Sequence, residues 1–77
     1  MKINFSYGKF IKLDNIPNDS ALELPDRSTV RDLLVFLKLP SYLQKSVIVH
    51  VNNEPVWNST ILKENDSVTI FRIVSGG

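Results

Sequence analysis

An α+β domain is what this sequence predicts, and three stretches predict it. Ile3, Phe5 and Tyr7 alternate with Lys2, Asn4 and Ser6, the two-residue period of a half-buried strand. Val30, Leu33, Leu34 and Leu37 fall at i, i+3, i+4 and i+7, a single apolar stripe along a helix. Ser67 to Ile73 alternates again, with Val68 and Ile70 on one side and Thr69, Phe71 and Ile73 on the other. A length of 77 residues with 43% hydrophobic composition suits one small globular core. Without cysteine and with a single histidine, neither disulfides nor a Cys-based metal site can staple it, so apolar packing must hold it together.

The elements follow in order. The first strand ends at Gly8. From Lys9 to Asp19 the apolar residues Phe10, Ile11, Leu13 and Ile16 keep no single period among the turn formers Asn15, Pro17, Asn18 and Asp19, which predicts an irregular connection with a short helical turn. Ala21 to Leu24 makes a short second strand antiparallel to the first, Leu22 and Leu24 sharing a face, stopped by Pro25 and Asp26. Thr29 and Asp32 read as a helix start, the hydroxyl capping a free N–H and the carboxylate sitting in the first turn. The helix is expected to run to Leu39, because Pro40 forbids continuation. Each leucine of its stripe contributes about 1.5–3 kcal/mol when fully buried. Ser41 to Lys45 is read as a connection. Val47 to Val51 is a strand with its three valines inward and Ile48 and His50 on the other face. Asn52-Asn53 supplies a hairpin turn, since Asn tolerates the left-handed conformation, and Pro55, lacking an N–H, suits an edge strand. Trp57 to Thr60 is a polar loop whose Trp57 is expected to cover the rim of the core. Ile61 and Leu62 pack again, and Lys63 to Asp66 turns into the last strand.

Composition excludes several function classes. Lys+Arg 9 against Asp+Glu 8 is too balanced for binding nucleic acid or an anionic membrane, which points to protein or small-molecule partners. No apolar stretch reaches bilayer length and the N-terminus has no secretory pattern, so the chain is expected in the cytoplasm. No Gly-rich phosphate loop, Ser/His/Asp set or paired carboxylates occur, and capping and solvated charge account for Asp26 and Asp32. The expectation is a chain that is not an enzyme by itself.

The last strand runs straight into Ile73-Val74-Ser75-Gly76-Gly77. Two glycines bury no side chain and have the greatest backbone freedom, so they serve packing poorly. They suit a terminus that threads a narrow cleft and presents an ionised carboxylate, although a frayed end or a cloning scar leaves the same residues. If the helix covers only the Val68/Ile70 face, then Ile48, Phe71, Pro55 and Ile73 form an exposed apolar patch of the kind that marks a docking site. His50 lines this surface; a lone histidine without cysteine is a poor metal ligand set, and no metal site is expected. Arg72, next to the tail, is placed to orient the chain on an acidic partner surface.

Strand, strand, helix, strand and a last strand ending in Gly-Gly resembles the ubiquitin-like β-grasp fold. That resemblance implies a mixed sheet of four to five strands packed on one helix, a single domain over residues 1–77, and a flexible tail from about residue 74. The motifs resemble more closely the ThiS/MoaD family of sulfur carriers. The residues that carry it are Leu24-Pro25, Thr29-Val30 with Asp32-Leu33-Leu34, Val49 with Val51-Asn52, Leu62-Lys63-Glu64 with Asp66, Val68, Ile70-Phe71, and Val74-Ser75-Gly76-Gly77. Asn53 and Asn65 stand where the family often has Gly, and Asn is the best substitute at a left-handed turn. Arg72-Ile73 stands where molybdopterin carriers often have a Pro pair. The short segment between Asn53 and Leu62 is nonetheless like theirs, and the resemblance leans to the small subunit of molybdopterin synthase.

The resemblance implies a function in which a ubiquitin-activating-like enzyme adenylates the Gly77 carboxylate and sulfur then replaces AMP, leaving a thiocarboxylate. Gly76 and Gly77 would be the reacting end, and Phe71, Ile48, Pro55, His50, Arg72, Ile73, Val74 and Ser75 the partner-binding residues. The chain would hold no cofactor of its own, with Mg-ATP and zinc on the activating partner. The acceptor would be a molybdopterin synthase large subunit or a thiazole synthase. The same terminus also suits a protein modifier joined to lysine through Gly77, and a plain β-grasp binding module is the third reading.

Overall fold

Strands β1 (Lys2–Tyr7) and β5 (Ser67–Arg72) lie side by side and parallel at the centre of the sheet, with Phe5 opposite Val68 and Tyr7 opposite Ile70. The computed structural model describes residues 1–8, 11 and 13–72. Parallel neighbours cannot be joined by a hairpin, so the chain between them builds the rest of the domain. Strand β2 (Ser20–Glu23) returns antiparallel to β1. Helix α1 (Val30–Phe36) then crosses to the far side, and a short helix α2 (Ser41–Gln44) leads into β3 (Val47–Val51), which pairs antiparallel with β5. The two-residue strand β4 (Glu54–Pro55) completes the order β2-β1-β5-β3-β4.

The core forms where the two apolar periods meet. Val30, Leu33, Leu34 and Leu37 of the α1 segment cluster with Ile3, Phe5, Val49, Val68 and Ile70 of the sheet, all buried. The start of α1 is the capping box expected of Thr29 and Asp32: Thr29 Oγ1 accepts from Asp32 N–H at 3.2 Å, and Asp32 Oδ2 accepts from Thr29 N–H at 2.9 Å. Asn52 and Asn53 both take left-handed backbone, φ 54° and 69°, and turn the β3–β4 hairpin. Pro55 lies in the edge strand, as its missing N–H requires.

Several expectations are corrected. The helix ends at Phe36, well short of Leu39, and Pro40 does not stop it. Lys38 enters the left-handed region at φ 59° and donates to the Val35 carbonyl at 2.9 Å, while Leu39 donates to Leu34 at 3.3 Å. These two bonds are a Schellman termination, with buried Leu34 and Leu39 supplying its apolar contact and Lys occupying the position glycine prefers. Ser41 to Gln44, read as plain connection, is a turn of helix whose end is tied by the Gln44 side-chain amide to the Leu39 carbonyl at 2.9 Å. Trp57 does not cover the core: it is 83% exposed, because its loop closes on itself through Thr60, whose N–H reaches the Trp57 carbonyl at 3.0 Å. Val56 and Leu62 fill that rim instead, and Ile61 is exposed beside Leu62. Between Gly8 and Asp19 the described residues show turns and no helix, whereas Lys9, Phe10 and Lys12 lie outside the described residues. Asn18 stands in for a strand there, accepting from Tyr7 N–H and donating to the Tyr7 carbonyl, both at 2.9 Å.

Met1 ties β1 to the end of β2. Its α-ammonium donates to the Leu24 carbonyl at 2.7 Å and to Asp26 Oδ1 at 3.2 Å, with Glu23 Oε2 at 3.7 Å. The hydrogen bond that the ammonium donates to Asp26 chiefly, with the charges of Asp26, Glu23 and Glu64, raises its pKa above the usual range, against a smaller opposing effect of desolvation.

Two predictions arise from these ends. Lys38→Gly is expected to stabilise the fold by ~0.5–1 kcal/mol in urea unfolding, because glycine takes the left-handed position without a Cβ penalty; Lys38→Ala should give no such gain. The Met1 contribution is fully present below the unfolded pKa of roughly 8 and is lost as pH rises through the higher folded value. The melting temperature of the chain beginning at Met1 should therefore fall across that mildly alkaline window, and Asp26→Asn should flatten the fall.

Candidate functional site

A single helix layer leaves the other face of the sheet open. Cross-strand register decides which side chains stand there. Ile48 on β3 is directly opposite Phe71 on β5, His50 is opposite Thr69, and on its other side His50 is opposite Pro55 of β4. Ile48 and Phe71 are 40% and 41% exposed, values that set them apart from buried Val49 and Ile70 beside them in sequence. The period-2 alternation thus gives β5 a core face and a solvent-facing apolar face. Four of the expected contact residues, Ile48, His50, Pro55 and Phe71, are brought together on this surface.

Phe71 is held in place on several sides. Its ring meets the His50 ring edge-on, with centroids 5.2 Å apart and planes at 73°, a favoured aromatic geometry. On the β1 side, Gly8 donates its N–H to the Ile70 carbonyl at 3.0 Å, and a Cβ placed on Gly8 would come within 3.4 Å of Phe71 Cδ1. A Cβ there would meet the ring at van der Waals distance, so Gly8 and Phe71 are packing neighbours across the β1–β5 pair. Next to this apolar group, Ser6 and Thr69 hydroxyls bond to each other at 2.8 Å, satisfying two polar groups without any outside partner.

The remaining expected residues divide. Arg72 is exposed but pairs across the ladder with Val47, so it stands on the helix side of the sheet, away from Phe71. Ile73, Val74, Ser75, Gly76 and Gly77 lie outside the described residues, and so does the expected flexible tail. Gly8 was missed as a site residue. The signal was available, an isolated glycine at the end of a strand, but it reads equally well as a simple stop. Among the described residues no cluster of His, Asp and Glu is arranged to hold a metal ion, and no helix is long and apolar enough to cross a membrane.

A mixed five-stranded sheet covered on one face by a helix, with an aromatic-centred apolar patch on its last strand, defines a small protein of the ubiquitin-like β-grasp class. The comparisons narrow this. The model of the ThiS family matches residues 7–77, and the chain belongs to that family. The match reaches back to Tyr7, further than the motifs from Leu24 onward that carry the resemblance. A Pyrococcus furiosus protein described as a molybdopterin converting factor, subunit 1, is similar in structure with a TM-score of 0.74 and 26% identity, over 95% of this chain and 98% of that one. SAMP1 of Haloferax volcanii is similar at TM-score 0.69 and 18% identity over the full length of both chains. A second structure, of H. volcanii small archaeal modifier protein 1, gives TM-score 0.68 and 16% identity over 95% and 98% of the two chains. No match was found among curated proteins.

Adjacent residues of β5 should respond oppositely to substitution. Phe71→Asp is expected to leave the domain folded, with a loss below about 1.5 kcal/mol, whereas Ile70→Ala should cost about 2–5 kcal/mol. Denaturant unfolding followed by circular dichroism measures both, and an unfolded Phe71→Asp protein would refute the assignment of faces.

Proposed function

We propose that this chain is a sulfur carrier that reacts through the Gly77 carboxylate. The observation that carries the reading is the ThiS-family match over residues 7–77, which includes Gly76-Gly77. The patch around Phe71 supports it, since a carrier without catalytic groups of its own must be gripped by its partners.

The chemistry is that of carboxyl activation. An oxygen of the Gly77 carboxylate attacks the α-phosphorus of ATP and pyrophosphate leaves, forming a mixed anhydride with AMP. The terminal sulfur of a partner persulfide then attacks the acyl carbon and AMP departs; a thiol attacks the other sulfur of that acyl disulfide, the one bonded to the partner's carbon, so that the S–S bond breaks and a thiocarboxylate and a disulfide are released. The adenylating partner supplies Mg-ATP and any zinc, and magnesium there neutralises the phosphate charge that grows during displacement. The chain contributes a terminus narrow enough to enter the partner's cleft and a surface by which it is held.

We assign the sulfur to molybdopterin synthesis, with a synthase large subunit as the acceptor, ahead of thiazole synthesis. The likeness to the P. furiosus protein described as a molybdopterin converting factor subunit supports this choice. The likeness to H. volcanii SAMP1, at 18% identity, is one of fold and does not favour the modifier reading over the carrier.

Incubation of the full chain with its cognate activating enzyme, Mg-ATP and a sulfur donor tests the proposal by intact mass. The expected product carries sulfur in place of one terminal oxygen. Gly76→Ala should slow adenylation on the order of a hundredfold, through a displacement near 1 Å at the reacting atoms, while leaving the melting temperature almost unchanged. Removal of Gly77 should abolish the product. A Gly77-deleted chain that still gains a terminal thiocarboxylate would overturn the carrier reading.

A further inference from the structure

The two edges of the sheet are treated differently. On one side β4 is two residues long and contains Pro55, so it offers little to a further strand. On the other side β2 is four residues long and contains no proline. The direction of its free groups follows from the register. Met1 and Leu24 exchange both main-chain bonds, Leu24 N–H to the Met1 carbonyl at 2.9 Å and the Met1 ammonium to the Leu24 carbonyl at 2.7 Å. Hydrogen-bonded pairs alternate along an antiparallel ladder, so Ile3–Leu22 and Phe5–Ser20 are the next bonded pairs. Ala21 and Glu23 therefore turn their N–H and C=O groups away from β1, and both residues are exposed. Among the described residues nothing pairs with them.

A groove of about 610 Å³ adjoins this edge on the helix side, with Asp14, Asn15 and Lys38 among an otherwise apolar lining. Leu13 and Ile16 line it from the connection, Leu22 from β2 itself, and Phe36, Leu39 and Leu43 from the two helices. Phe36 is 47% exposed, large for an aromatic with an apolar groove beside it.

We propose that the β2 edge and this groove together dock an extended segment of a partner protein, added to the sheet as a sixth strand. Main-chain groups directed outward at Ala21 and Glu23 are complementary to a strand and to no other element, and alternate side chains of such a strand fall on opposite faces. One set enters the apolar groove. The other lies on the open face beside Glu23, whose carboxylate, 3.7 Å from the Met1 ammonium but 76% exposed, still presents oxygen to a basic residue. The partner segment is thus extended, with apolar and basic residues in alternation. Two strands separate β2 from β3, so this edge lies about 14 Å from the Ile48 row, and both surfaces can be occupied at once. This inference does not depend on the sulfur-carrier reading.

The test is a nuclear magnetic resonance titration of the full chain with a capped octapeptide of alternating valine and lysine. Saturable shifts at Ala21, Glu23, Leu13, Phe36 and Leu43, with the Ala21 and Glu23 amides gaining protection from solvent exchange, are the expected result. The same peptide N-methylated at alternate residues, which removes its donors along one edge, should bind at least about tenfold more weakly. That comparison uses the native chain, so it stands whether or not Ala21→Pro, expected to abolish binding by removing the outward donor, folds. Equal affinity for the methylated peptide would overturn the proposal, as would shifts centred on Ile48, His50 and Phe71 or the absence of saturable binding. Edge amides already protected in a concentration-dependent way in the free chain would also overturn it, because a second copy would then be the occupant.

Discussion

The parallel pairing of β1 with β5 is the constraint on which the rest of this structure depends. Because parallel neighbours need a crossover, α1 is carried to one side of the sheet and covers that side alone. The last strand is placed in the interior of the sheet, bonded on both flanks, which makes it the best-anchored strand to bear a functional surface. Buried Val68 and Ile70 fix its position, and Phe71 then has no choice but to face outward. Stability and presentation are opposite faces of the same six residues.

Glycine usage does not follow backbone need. Six described residues take left-handed backbone, Asp19, Arg27, Lys38, Asn52, Asn53 and Asn65, and none is glycine. Asn and Asp bear that conformation with least cost, while Arg27 and Lys38 meet it without such help. The chain has three glycines in all, and they stand at Gly8, against the Phe71 ring, and at Gly76 and Gly77. Glycine is thus absent from every described left-handed turn, and the one described glycine, Gly8, stands beside the Phe71 ring.

Much of the fold was legible because its main elements rely on local rules. Alternation marked β1, β3 and β5, the apolar stripe and the Thr29/Asp32 box marked α1, and Asn52-Asn53 marked the hairpin. What was not legible depended on contacts distant in sequence or on residues acting against preference. Lys38 ends α1 in a conformation that lysine rarely adopts, so Pro40 was the more natural stop. Trp57 is directed outward by a hydrogen-bonded turn at Thr60, while its hydrophobicity alone argues for burial. For the site, the alternation that placed Ile48 and Phe71 together was sufficient, since a face of a strand is a property of period alone. The same period already put Arg72 on the Val68/Ile70 side, away from Phe71; that Val47 is its neighbour required the β3–β5 register, and that Gly8 lies beside Phe71 required the β1–β5 register.

The geometry also limits how a carrier without catalytic groups can work. An extended chain advances at most about 3.3–3.6 Å per residue, so the Cα of Gly77 can lie no more than about 22 Å from the Cα of Phe71. A partner that grips the Phe71 patch must have its reactive centre within that radius, and a cleft further away cannot be served without releasing the patch. On the carrier reading, docking and delivery are therefore coupled by the number of residues that follow β5. Affinity at the patch raises the effective concentration of the carboxylate at the partner's centre, provided that the span is matched. On the carrier reading, this is how the chain shapes the reaction: it sets where the reacting atom can be, and the partner's chemistry acts only there.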